Sequence, residues 1–211
     1  MTGGGRNDGR LEILLATRNR HKLREIAQML ENTRFSVVSV GELEGAPEVE
    51  EDGETFRDNA DKKARELASW SLRVTLADDS GIEVDALGGA PGVRSARFAG
   101  VAGAGADEAN NDLLLRRLEG VPLEGRGARY RCVLALVTPE GRAEYAEGTV
   151  EGRIGWERRG RRGFGYDPLF LVAGDSAGRT MAELSDDEKH AISHRGKALR
   201  GLLPMLERLL A

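Results

Sequence analysis

Asp78 and Asp79 close a short apolar run, Val74 to Ala77, and Ser80-Gly81 follow at once. Nothing else in the chain narrows its fold as much. Adjacent acids at the end of a buried strand repel each other and are costly to desolvate. A fold accepts them where a cation or a reacting water offsets the charge. The alternative is an ordinary strand exit, since Asp-Ser-Gly is also turn chemistry. On either reading Val74 to Ala77 and Ile82 to Val84 flank an acidic turn.

The elements around this turn alternate. Leu11 to Ala16 is nearly all apolar, the pattern of a strand buried on both faces. Leu23, Ile26, Ala27 and Leu30 then form one helical stripe, and Phe35 to Val40 reads as the next strand. A second helix is predicted from Thr55 to about Trp70, with Phe56, Ala60, Ala64 and Leu67 on its buried side. The Gly- and Pro-rich stretch Leu87 to Ala106 reads as a long loop, functional or disordered. Asp107 is placed to cap a helix running to Leu118.

Tyr130 to Val137 and Ala143 to Val150 read as a hairpin through Pro139-Glu140-Gly141, and Leu169 to Val172 as a further strand. Ser185 and Glu188 have capping-box spacing, and a last helix is expected from Ser193 to Leu210, kinked at Pro204. Alternation followed by a hairpin predicts a mixed-sheet α/β protein, without internal repeats.

Bulk properties exclude several classes. The net charge of −4 over 211 residues argues against a protein that coats nucleic acid or anionic membrane. No apolar run approaches the roughly 20 residues a membrane span needs. A lone cysteine, Cys132, suits a reducing cytoplasm and, inside an apolar strand, reads as core. MTGGGRNDGR, residues 1–10, has no apolar segment and reads as a disordered leader. Residues 11–211 are then a single domain.

Four clusters carry possible chemistry. The turn ATRNRHK, Ala16 to Lys22, opens a helix, where backbone amides favour anions and basic side chains are unfavourable unless an anion is bound. It is either a phosphate site or a solvated basic turn. Glu50-Glu51-Asp52-Gly53-Glu54 precedes the Thr55 helix as a dipole-favoured acidic start. Together with Asp78 and Asp79 it offers an all-oxygen site of the kind that suits Mg²⁺. GFGYDP, Gly163 to Pro168, either stacks Phe164 on a base, with Asp167 accepting from its edge, or packs Phe164 and Tyr166 into the core.

EKHAISHR, Glu188 to Arg195, supplies Lys189, His194 and Arg195 as donors. His190 and His194 have the i, i+4 spacing of zinc ligands, but no HExxH motif accompanies them. Arg158 to Arg162 reads as a solvated loop.

In order and spacing these segments resemble one family, the inosine/xanthosine triphosphate pyrophosphatases, which clear aberrant purine nucleotides. The resemblance runs from about Leu11 to Leu203 through ATRNRHKLREI, EEDGETFRDNA, Lys63-Ala64, ADDSGIEVDALGGAPGVRSARFAG, RCVLAL, GFGYDPLF and EKHAISHRGKAL. It implies Mg²⁺-dependent hydrolysis of a purine nucleoside triphosphate to the monophosphate and pyrophosphate. It also implies an elongated α/β fold with a long mixed sheet, flanking helices and two lobes around a central cleft, usually as a homodimer.

By the same resemblance Thr17, Arg18, Asn19, Arg20, His21 and Lys22 would hold the triphosphate. Asp79 would be general base and metal ligand, and Glu51 a second ligand with Asp78 as a further candidate. Ser80 would contact substrate, while Phe164, Gly165, Tyr166, Asp167, Lys189, His194 and Arg195 would form the base pocket. His21 stands where the family commonly has glycine, His190 falls at a variable position, and Pro204 is unusual there.

Three rival readings have distinct signatures. Maf-like pyrophosphatases act on modified pyrimidine nucleotides, but ISHR and GFGYDP favour the purine group. A non-catalytic nucleotide sensor would gain little from several carboxylates beside a triphosphate. A nucleic-acid-binding module would lean on Arg158 to Arg162 against a negative net charge.

Overall fold

In the computed structural model of the chain, the described residues are 9–209, so most of the expected leader lies outside them. β1 (Leu11–Leu15) pairs in parallel with β2 (Phe35–Ser39), in a register running from Leu11↔Phe35 to Leu15↔Ser39. A parallel pair needs a long crossover, and α1 (Arg20–Leu30) supplies it, burying Ile26 and Leu30. The chain returns through α2 (Phe56–Ser71) to β3 (Thr75–Val84), which pairs in parallel with β1 on its other side. Thr55 caps α2 in a reciprocal box with Asp58.

After α3 (Ala106–Arg117) come β4 (Gly127–Val137) and β5 (Ala143–Ile154). Their connection, residues 138–142, is too short for anything but antiparallel neighbours, and Thr138 N donates to Arg142 O at 2.9 Å. β6 (Phe170–Val172) pairs antiparallel with β5, Gly152 opposite Val172. The strand order β2-β1-β3-β4-β5-β6 makes one mixed sheet among the described residues. α4 (Asp186–Ile192), with the expected Ser185–Glu188 capping box, and α5 (His194–Leu209) complete the chain. Pro204 lies inside α5.

The chain divides into two compact units. The first holds Met1–Asp79, Val133–Glu147 and Ala198–Ala211; Ile13, Leu14, Leu15, Ile26, Phe35 and Leu76 are buried in it. The second holds Ser80–Cys132 and Gly148–Lys197, with a core built on Ile82, Val84, Leu114, Leu118, Tyr130, Ile154, Phe170 and Met181. Cys132 is buried within β4.

Four local expectations change. The acids occupy no turn, because β3 runs unbroken through Asp78-Asp79-Ser80-Gly81. Asp107 does not cap α3: Gly105 holds the cap position, and the Asp107 carboxylate accepts from the Gly165 amide at 2.7 Å instead. The Leu87 to Ala106 stretch carries a 3₁₀ segment, Gly92–Arg97, whose Ser95 and Ala96 carbonyls accept from the Asn110 amide of α3. His190 and His194 do not share a helical face, because extended Ser193 separates α4 from α5.

Candidate active site

Alternation lets β3 carry its two acids. Successive side chains on a strand point to opposite faces, so Asp78 and Asp79 turn away from each other. Asp78, 1% exposed, receives Lys22 Nζ of α1 at 2.5 Å. Asp79, 5% exposed, accepts from Asn59 Nδ2 of α2 at 3.2 Å and Lys63 Nζ at 3.3 Å. The same ammonium donates to Glu51 at 2.7 Å and to the Asp78 carbonyl at 2.9 Å. Three carboxylates thus meet two ammoniums.

Burial pushes the Asp79 carboxyl above its ordinary range, against the pull of the Lys63 and Lys22 ammoniums. Burial also works against the charge on Lys63, but the Asp79 and Glu51 carboxylates outweigh it and hold the amine protonated above the usual lysine range. Asp79 is therefore a stronger base than a free aspartate, beside a permanent cation.

The turn before α1 is more committed than its sequence suggests. Asn19 is the N-cap, and its Oδ1 accepts from the His21 amide at 2.9 Å and the Lys22 amide at 3.3 Å. Two amides expected to face an anion are therefore already used. Thr17 Oγ1 accepts from the Asn19 amide, and Arg18 donates to the Ala46 carbonyl at 2.9 Å. Arg20 and His21 are exposed. Lys22 is the member of this turn that reaches the acids.

A different kind of cluster forms in the second unit around residues 163–167. Gly163 has φ +73°, and a Cβ there would lie 2.0 Å from Asp167 Oδ2, so glycine is required. Asp167, 3% exposed, accepts from Lys189 Nζ at 2.5 Å, the Phe164 amide at 3.0 Å and the Tyr130 hydroxyl at 3.1 Å. Its carboxylate is committed to anchoring these groups. Phe164 is half-buried, with Lys189 Nζ 5.1 Å and Arg195 Cζ 5.7 Å from its ring centroid, both within cation–π range.

Arg195, 1% exposed, donates to Ser80 Oγ at 2.9 Å, and His194 stacks on Tyr130 with ring centroids 4.7 Å apart. Of the two rings of GFGYDP, one is core: Phe164 is only half-buried, whereas Tyr166 is buried. Tyr166 enters the core, where its hydroxyl donates to the Ser95 carbonyl and burial pushes its pKa upward. Gly165 is clamped by α3, its amide on Asp107 and its carbonyl on Asn111.

A family model described as the Ham1 family matches residues 13–205, which take in both clusters. The chain belongs to the Ham1 family. A protein of Desulforamulus reducens named dITP/XTP pyrophosphatase is 53% identical over 199 residues, 94% of this chain and 97% of the relative. Among solved structures, a HAM1 protein of Coxiella burnetii is 41% identical with a TM-score of 0.82, covering 94% of this chain and 99% of its own. A Mycobacterium abscessus nucleoside-triphosphatase, also called dITP/XTP pyrophosphatase, is 46% identical with a TM-score of 0.73, over 92% and 100%.

Among the described residues no three metal-binding side chains converge. Glu51 and Asp79 are hard oxygen donors gathered around one lysine. Such a pair suits an ion that keeps its own waters and takes substrate phosphates as further ligands. No helix among the described residues is long and apolar enough to cross a membrane.

Sequence reasoning did not assign roles to Lys63, Asn59 or Tyr130. The signal for the first two was available: they interrupt the apolar stripe of α2 formed by Phe56, Ala60, Ala64 and Leu67. Tyr130 had no such signal, because an aromatic in a strand is ordinary. The Arg158–Arg162 loop is pinned as well as solvated, through Arg158 to Asp112 at 2.7 Å and Arg162 to the Leu184 carbonyl.

Proposed function

We propose that this Ham1-family chain hydrolyses dITP, ITP and XTP to the monophosphate and pyrophosphate, removing aberrant purines from the nucleotide pool. One observation carries the chemistry: Asp79 is a buried carboxylate with a raised pKa, sharing the Lys63 ammonium with Glu51. A base of this kind takes a proton from water as the water oxygen attacks the α-phosphorus. The bond from the α-phosphorus to the oxygen bridging toward the β-phosphate breaks, and pyrophosphate leaves with that oxygen. Lys22 and Lys63 would neutralise charge that develops on the phosphates. Glu51 and Asp79 would hold Mg²⁺, which supplies Lewis acidity and a more acidic bound water; Asp78, turned to the other face of β3 and paired with Lys22, is not among these donors.

Base selection follows from the second cluster. Hypoxanthine and xanthine carry a 6-oxo acceptor where adenine carries an amino donor. Lys189, His194 and Arg195 offer donors, so adenine would leave a buried donor unmatched, at about 1–3 kcal/mol. Phe164 offers a face for stacking. A cytoplasmic homodimer belongs to the same reading, supported by the family resemblance and the lone buried Cys132.

Pyrophosphate release from dITP, with and without Mg²⁺ and with dATP and dGTP for comparison, tests the proposal. Fast, metal-dependent release from dITP but not from dATP is expected, with dGTP, which shares the 6-oxo group, as the comparison for the 2-position. Equal rates on all three substrates would remove the base-selection argument, and no release from any of them would remove the enzyme.

A further inference from the structure

Tyr130 touches both halves of the recognition cluster with different parts of one side chain. Its hydroxyl donates to Asp167 Oδ1 at 3.1 Å, and Asp167 in turn receives Lys189 Nζ and the Phe164 amide. Its ring lies against the His194 imidazole at 4.7 Å with an 8° interplanar angle. On another side the ring meets Phe170, centroids 4.7 Å apart and tilted by 49°. The side chain is buried in β4, with Arg129 and Arg131 alternating away to pair with Glu151 and Glu83. One tyrosine on β4 thus bears on His194 directly and on Lys189 through Asp167.

We infer that Tyr130 is a positioning residue for purine recognition. The ring fixes the plane of His194. The hydroxyl holds Asp167 in the rotamer that anchors Lys189 and Phe164. Removing the hydroxyl takes one donor from Asp167, so the carboxylate and the ammonium bound to it gain freedom. Removing the ring also frees the imidazole. The effect falls on affinity and base preference, because Tyr130 acts through Asp167 and His194, which belong to the recognition cluster. This inference rests on the base-selection reading above.

Its test separates the two. Binding of dIMP and dAMP is measured by calorimetry for the wild-type chain, Tyr130→Phe, Tyr130→Leu and the core variant Val150→Ala, with melting temperatures alongside. Pyrophosphate release from dITP is measured separately. Tyr130→Phe should weaken dIMP about tenfold, by loss of a hydrogen bond to a charged group, and leave dAMP unchanged. Tyr130→Leu should weaken dIMP further and narrow the dIMP/dAMP ratio, while Val150→Ala lowers the melting temperature without altering that ratio.

Wild-type affinity and ratio in Tyr130→Phe would overturn the inference and leave the function standing. So would a ratio that falls equally in Val150→Ala. A wild-type chain that binds dIMP selectively but releases no pyrophosphate would overturn the hydrolysis while the Tyr130 comparison still stands. Equal wild-type binding of dIMP and dAMP would overturn the base-selection reading and the Tyr130 inference with it, and leave hydrolysis standing.

Discussion

The two clusters solve opposite problems. Around Asp79 the groups are ionic and close to balanced: Lys22 on Asp78, and Lys63 shared by Glu51 and Asp79. Around Asp167 they are interlocked through an aromatic pair, a clamped glycine and one carboxylate with three donors. On the proposed function, an incoming metal and triphosphate would join or rearrange the first set of ion pairs, and an incoming base would meet a second set already interlocked. Reaction chemistry needs charge that can be redistributed, whereas recognition needs donors that cannot move. Variants in the first cluster should therefore act on turnover and variants in the second on affinity and preference.

The largest expected effect is that of Asp79→Asn, which keeps the shape and the Asn59 contact but removes the base. Turnover should fall by about 10²–10⁴-fold, the usual contribution of a general base, with dIMP binding largely intact. Rapid-quench turnover and calorimetric binding of the same preparation check this. Near-wild-type turnover would break the comparison at its centre.

Lys63→Met comes next. It leaves Glu51 and Asp79 without their shared cation, and removing one partner of a buried ion pair costs about 3–5 kcal/mol. A fall in unfolding free energy of that size, read from urea melts, should accompany a roughly hundredfold loss of turnover. Lys63 would be a mere structural counter-ion if stability fell and turnover per folded molecule did not.

Lys189→Met tests the other side. It should lower kcat/KM for dITP about 10–100-fold through KM, with dATP little changed. A loss confined to kcat would show that the two clusters do not divide the work as their contacts suggest.

How far this division could be read from sequence depends on the residue. The alternation of elements, the hairpin, the Ser185 box and the mixed sheet follow from apolar period and turn chemistry, and they agree with the structure. The acidic turn was misjudged for a physical reason. Local rules assign Asp-Asp-Ser-Gly to a turn, and what keeps β3 straight is a set of cations from α1 and α2, distant in sequence. Asp107 shows the same thing: its nearest helix would accept it as a cap, but the Gly165 amide claims its carboxylate. Asn19 shows the reverse, a local cap that takes amides which the wider motif suggested were for phosphate. Composition and spacing report which groups are present; which donor each acceptor takes is decided by tertiary geometry.

The smallest effect concerns the frame of the recognition cluster. Glu188 precedes Lys189 in α4 and is exposed, accepting from the Ser185 amide at 2.8 Å and from Arg179 at 2.8 Å. These donors, with the Ser185 backbone contributing most, hold its pKa down at about 2, against an ordinary value of 4.5. The sign follows from linkage: the folded chain favours the ionised form, so the contribution is present in full above the unfolded value. It is lost as pH falls from there through about 2. Glu188→Gln should therefore lower the urea midpoint slightly at pH 7, and the difference from wild type should shrink to nothing as the medium is acidified through that window. The dIMP/dAMP ratio should not change at neutral pH, because the cap supports the helix while Asp167 supports Lys189. A ratio that moved with Glu188 would mean that the cluster borrows rigidity from the surface of α4 as well as from the buried anchors beneath it.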